Sequence, residues 1–179
     1  INVFDSPRPA LAANIPNISK CDEALDGDST NGFVLFDLTS QSTTILNGQL
    51  ATKFDLAFYT DAALLNVIAN PAAFTNTIAG GQTIYVKMSN KLNPACAEVT
   101  SFKVVVNPIP LIFPTDGLKV CDDNNDGFIS FDLSVIHPNI LNGQDPILFN
   151  FNYFTDAALT QPVTSPYTNK TAFAPETIY

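Results

Sequence analysis

Apolar residues in this chain recur at every second position, in short bursts. Val34, Phe36 and Leu38 alternate with Leu35 and Asp37, and Phe54, Leu56 and Phe58 follow the same rule. So do Ile84, Val86 and Met88, and then Phe102, Val104 and Val106. Phe149, Phe151 and Tyr153, separated by Asn150 and Asn152, give the cleanest alternation of all. A period of two is that of a strand with one face buried. No stretch keeps a period of 3.6 over three turns. Turn signals separate the bursts: Asn47-Gly48, Gly80-Gly81, Pro7-Arg8-Pro9 and Pro108-Ile109-Pro110. Thr60-Asp61-Ala62-Ala63-Leu64 reads as one helical turn capped by Thr60 or Asp61. The pattern predicts an all-β fold, with Ig-like β-sandwiches of roughly seven strands each.

The bursts come in a fixed order, twice. Ile45-Leu46-Asn47-Gly48-Gln49 returns as Ile140-Leu141-Asn142-Gly143-Gln144, and Thr60-Asp61-Ala62-Ala63-Leu64 returns as Thr155-Asp156-Ala157-Ala158-Leu159. Thr83-Ile84-Tyr85 returns as Thr177-Ile178-Tyr179. A cysteine followed by acids and then a Gly-Phe strand occurs at Cys21 and again at Cys121. The chain is a tandem array, and the repeat is read first because it governs every later assignment. Residues 1–9 are expected to be the last strand of a preceding repeat. Residues 10–110 are expected to form one complete Ig-like repeat, and residues 111–179 a second that stops before its final strand. Each Pro-x-Pro is a short, stiff joint, since proline cannot continue a sheet and biases the backbone toward polyproline II.

Composition narrows the function classes. Of 179 residues 46% are hydrophobic, enough for packed cores. Eight basic residues against a net charge of −9 leave no stripe to lay along phosphates, so nucleic acid and anionic membranes are not expected partners. No apolar run reaches the roughly 18–20 residues of a membrane span. The first residue is Ile1 and the last lies within a strand pattern, so the chain reads as an interior piece of a longer protein.

Three cysteines make sense only through the repeat. Cys21 and Cys96 lie in repeat one, and Cys121 is the counterpart of Cys21. One disulfide per repeat is therefore expected, between Cys21 and Cys96, with the partner of Cys121 outside the chain. Such a bond implies an oxidising compartment. A thiol nucleophile or metal site finds no support: there is no Cys-x-x-Cys, and the single histidine, His137, precedes Pro138 in an expected surface turn. Its place in repeat one is held by Ser42, so a Ser-His-Asp or Cys-His centre shared by the repeats is excluded. No catalytic constellation emerges, and no enzymatic activity is expected.

The acidic loop of repeat two offers different chemistry. Asp122, Asn124 and Asp126 stand at alternate positions and Gly127 follows. Oxygen ligands at positions 1, 3 and 5 with glycine at 6 are how short loops wrap calcium. The Phe128 carbonyl would be the next ligand, and Asp132 or Asp123 could complete the set. In repeat one the loop is longer, and Asp22, Asp26 and Asp28 are weaker candidates. The competing reading is an Asp/Asn-rich turn that bonds its own backbone.

The combined order resembles the tandem repeats of very large Bacteroidota surface proteins exported by the type 9 secretion system, including SprB-like gliding adhesins. The residues that carry the resemblance are Cys121 through Leu133, Ile140 through Gln144, Pro166 through Asn169, Thr177 through Tyr179, and, from repeat one, Cys96 and Val106 through Pro110. It implies a structural or adhesive stalk on the cell surface, serving adhesion or gliding. Its implied partners are neighbouring repeats, a surface or glycan ligand at a distant tip, and the secretion and motility machinery. The rival classes are a glycan- or protein-binding module and a spacer of a secreted enzyme. The absence of Trp weighs against a carbohydrate platform.

Overall fold

The computed structural model describes residues 2–23 and 27–179 and divides into two compact units, Ile1–Ile109 and Pro110–Tyr179. The fold is all-β: strands carry both units, and the helices are single turns.

Among the described residues of the first unit six strands form two sheets. The larger sheet is ordered β1 (Ile18–Cys21), β6 (Ala97–Asn107), β5 (Gly81–Asn90), β3 (Phe54–Tyr59); the smaller pairs β2 (Leu35–Phe36) with β4 (Phe74–Thr75). The long β5–β6 hairpin is antiparallel, while β1 lies parallel to the end of β6, with Cys21 opposite Asn107. The alternation seen in the sequence is the alternation of burial. Ile84 and Val86 on β5 and Phe102, Val104 and Val106 on β6 are buried in one core with Phe36 and Phe74 of the smaller sheet and with Val34, which precedes it, and Met88 on β5 is fully buried as well. Each such side chain contributes about 1.5–3 kcal/mol on burial. Gly81 opens β5 because a Cβ there would collide with the Val104 carbonyl oxygen of the adjacent strand.

The Phe-Asp-Leu motif is a strand-to-helix joint. Phe36 ends β2, the Asp37 carboxylate caps a 3-10 turn (Leu38–Gln41) by accepting the Thr39 N–H, and Leu38 is fully buried. A short helix α1 (Ser42–Leu46) follows and ends at Asn47 in the left-handed region. The second unit repeats this step for step: β7 (Ser130–Phe131), Asp132 as the cap accepting from Ser134, Leu133 buried, α2 (His137–Leu141), and Asn142 left-handed.

Three expectations need correction. The described residues of 1–9 carry no strand. Instead the Arg8 N–H donates to Gln49 Oε1, Lys53 bonds Asp5, and Asn90 donates to the Asp5 carbonyl, so this segment is fastened to the first unit. Thr60-Asp61-Ala62-Ala63-Leu64 is a tight turn with Leu64 at φ 57°, because Asp61 accepts the N–H groups of Leu65 and Asn66 and so folds the backbone back on itself. Of the Phe149, Phe151, Tyr153 stripe only β8 (Tyr153–Phe154) is a strand, paired with β9 (Pro162–Val163). Its counterpart β3 is held along its full length by β5, and no such partner runs beside residues 149–152 among the described residues. The last strand, β10 (Tyr167–Thr168), pairs with β7.

Candidate functional site

The acidic stretch after each cysteine is fixed by the same two side chains, an aspartate and an asparagine, in both units. In the first, Asp22 Oδ2 accepts the Gly32 N–H at 2.7 Å, and Asn76 Oδ1 accepts the Val34 N–H at 2.7 Å. The Asn76 amide nitrogen donates to the Gly32 carbonyl at 2.7 Å and to the Ile78 carbonyl at 2.8 Å. In the second, Asp122 Oδ2 accepts the Gly127 N–H at 2.6 Å and Asn169 Oδ1 the Ile129 N–H at 2.7 Å. The Asn169 amide donates to Gly127 at 2.8 Å and Thr171 at 2.9 Å. An asparagine thus satisfies both sides of the backbone where the loop enters the sheet, which a buried polar chain requires.

The expected calcium ligands Asp122, Asn124 and Asp126 of repeat two accept backbone N–H groups of their own loop. Asp122 Oδ1 accepts the Asn124 N–H, Asn124 Oδ1 accepts the Asp126 N–H, and Asp126 Oδ1 accepts the Phe128 N–H. The Asn124 amide also donates to Asp126 Oδ2. The alternation that brings oxygens to one centre in a calcium loop here builds consecutive turns, each side chain folding its own backbone. Asp132 is the helix cap, and the Ser134 hydroxyl, the Ser134 N–H and the Ser165 hydroxyl hold its carboxyl below the usual range. In repeat one, Asp28 accepts from the Thr30 N–H and hydroxyl, and Asp26 lies outside the described residues. Among the described residues no three His, Cys, Asp or Glu side chains gather to hold a metal. Asp22 differs from the rest. It is 3% exposed, and its Oδ1 is buried without a hydrogen-bond partner, as is Glu23 Oε1 beside it.

The cysteines do not pair within the repeat. All three thiols are free. Cys21 sits opposite Asn107, where β6 ends, whereas Cys96 immediately precedes Ala97, where β6 begins. At about 3.3 Å per residue the two are separated by roughly 35 Å along one strand, against the 7 Å or less between Cα atoms that a disulfide requires. The expected bond between Cys21 and Cys96 is therefore ruled out by the strand register. Each cysteine instead marks one end of the sandwich. Cys96 lies at the end where the chain enters, the end to which Asn90 ties Asp5; Cys21 lies at the end where β6 leaves.

The family model for the Flavobacterium inter-domain disulphide bond domain matches residues 17–110 and 116–179. The chain belongs to that family, twice over. No match was found among curated proteins or among solved structures. The first span of the inter-domain disulphide bond domain starts one residue ahead of β1 and closes at Pro110; the second takes in Cys121, the acidic loop and β7 through β10.

Asn76 and Asn169 were not singled out as site residues by sequence reasoning. The signal was there, as an aromatic-Thr-Asn triplet at Phe74-Thr75-Asn76 and again at Tyr167-Thr168-Asn169. A paired role also falls to Gln82 and Glu176. Gln82 Oε1 accepts the N–H groups of Thr77 and Ile78, and Glu176 Oε1 those of Lys170 and Thr171. The second oxygen of Glu176 accepts from the Tyr167 hydroxyl, which lowers the Glu176 carboxyl and raises the Tyr167 phenol. His137 is not a surface residue in a turn. It opens α2, stacks on Phe151 with ring centroids 3.8 Å apart, and bonds the Tyr153 hydroxyl. The desolvated Tyr153 phenol is raised above its ordinary value.

Proposed function

We propose that this chain is a structural segment of an extracellular, multidomain surface protein in which consecutive repeats are joined twice, once by the peptide chain and once by a disulfide. One observation carries the reading: the two thiols of a repeat stand at opposite ends of β6. A bond between domains, the property for which the family is described, is the pairing this placement permits. Chain direction then selects the partners. The exit-end thiol, of the Cys21 type, pairs with the entry-end thiol, of the Cys96 type, in the following repeat. Pairing Cys21 with Cys121 would instead join two thiols of the same type. Forming each bond removes two electrons and two protons from two thiols, by exchange with a disulfide oxidant outside the cytoplasm.

The wider role is that of a stalk: a filament that presents a distant tip for adhesion or gliding, exported and moved by cell-surface machinery. The chain itself does no catalysis and binds no nucleic acid in this reading. Support comes from the tandem organisation, the net charge of −9 and side chains spent on turns and caps. Calcium enters the same reading at one place. Asp22 Oδ1 and Glu23 Oε1 are buried oxygens without donors, and a divalent cation would offset their desolvation.

Peptide mapping under non-reducing conditions, on a polypeptide of three consecutive repeats exported through an oxidising compartment, tests the pairing. The expected product links the Cys21 position of one repeat to the Cys96 position of the next. A bond between the Cys21 and Cys121 positions, or between two cysteines of one repeat, would overturn it.

A further inference from the structure

The second unit contains a groove of about 660 Å³ whose walls identify its occupant. One rim is Leu118, Lys119 and Val120; the other is Glu176, Thr177 and Ile178; Ile129, Phe131 and Leu133 lie on the floor. Among the described residues neither rim belongs to a strand. In the first unit the same two rims exist and are occupied. Ile18, Ser19 and Lys20 pair in parallel with Val104, Val105 and Val106 of β6, and Gln82, Thr83 and Ile84 pair antiparallel with Val104, Lys103 and Phe102 of the same strand. The floor counterparts Val34, Phe36 and Leu38 are at most 2% exposed there, whereas Ile129 and Phe131 in the second unit are only half-buried.

We propose that this groove is the acceptor slot for one β-strand of the β6 type, taken up between the two rims. The occupant has apolar side chains at alternate positions, as Phe102, Val104 and Val106 do, and comes from a repeat of this family. It runs parallel to Leu118, Lys119 and Val120 and antiparallel to Glu176, Thr177 and Ile178. Its backbone satisfies the unpaired N–H and C=O groups of both rims, and its inward side chains cover Ile129 and Phe131. The proposal does not depend on how the cysteines pair.

The test uses the full chain and a synthetic peptide with the sequence of residues 97–110. Fluorescence anisotropy should show saturable binding of one peptide per chain. A peptide carrying Val104→Asp and Val106→Asp should bind about a hundredfold more weakly or worse, since two buried valines become charged. Hydrogen exchange should slow at the amides of Leu118, Lys119, Val120, Thr177 and Ile178 when the parent peptide is added. No binding, equal binding of the aspartate peptide, or protection confined to other amides would each overturn the proposal. So would slowed exchange at these amides on raising chain concentration without peptide, because β6 of a second copy is already paired on both edges in its own sheet and the slot would then be covered by some other surface.

Discussion

Asn76 holds more of the first unit together than its single position implies. Its side chain makes three hydrogen bonds, to Val34, Gly32 and Ile78, from a site only 2% exposed. Removing it leaves the Val34 N–H without a partner in a place water does not reach, and takes one of two donors from each of the Gly32 and Ile78 carbonyls, which keep the Gly80 and Gly81 N–H groups. Asn76→Ala should therefore cost about 2–3 kcal/mol. Urea unfolding followed by circular dichroism measures this, and a loss under about 0.5 kcal/mol would mean that water replaces the amide. Asn76→Asp should be nearly as damaging, because a carboxylate accepts from Val34 but cannot donate to the two carbonyls. Asp22, at the other side of the same glycine, bonds with one oxygen and buries the other unpartnered.

At the scale of elements, the acidic loops show how one local pattern can serve two chemistries. In the second unit the alternate Asp, Asn and Asp side chains are each used by a backbone N–H two residues on or by each other. In the first unit the unpartnered oxygens of Asp22 and Glu23 lie at the start of the loop. Calcium is therefore expected to act on the first unit. Differential scanning calorimetry of the whole chain should show a higher melting temperature for that unit in millimolar calcium than in chelator, through mass action on the folded state. Asp22→Asn should remove the difference. Equal melting in calcium and chelator would leave the loop as a backbone-bonded turn in both repeats. The capped 3-10 turns tell the same lesson: Asp132, placed among the metal candidates by its charge, is the counterpart of Asp37, and both cap the turn that buries the following leucine.

For the whole molecule, the decisive quantity is the length of β6. Eleven residues of strand, Ala97–Asn107, put the two cysteines of a repeat at opposite ends. Under the proposed pairing each junction in an array has a second covalent tie, worth about 5 kcal/mol in the chain-entropy model for so long a loop. Its larger effect is on bending. In an array of three oxidised repeats, small-angle scattering should give a smaller maximum dimension and a broader distance distribution after reduction, while circular dichroism stays unchanged because no bond lies inside a sandwich. Identical scattering before and after reduction would assign the stiffness to the proline joints alone.

The sequence by itself determined the repeat, the all-β class and the inward face of nearly every strand in the first unit. These follow from local periodicity: a strand with one buried face must alternate, so Ile84, Val86 and Met88, or Phe102, Val104 and Val106, declare themselves. The tertiary structure alone decided which groups meet. Cys21 and Cys96 share a repeat in sequence, yet parallel pairing of β1 with the far end of β6 separates them by the length of the strand. Phe149 and Phe151 alternate as well as any strand residues, yet hydrogen bonds from a neighbouring strand, not alternation, make a strand, and among the described residues none reaches them. The order of Asp122, Asn124 and Asp126 is compatible with a cation or with a run of turns, and only the structure shows which backbone N–H each side-chain oxygen accepts. Periodicity is a property of one segment, whereas register, pairing and the target of a side chain belong to two, and a linear pattern holds no distance between them.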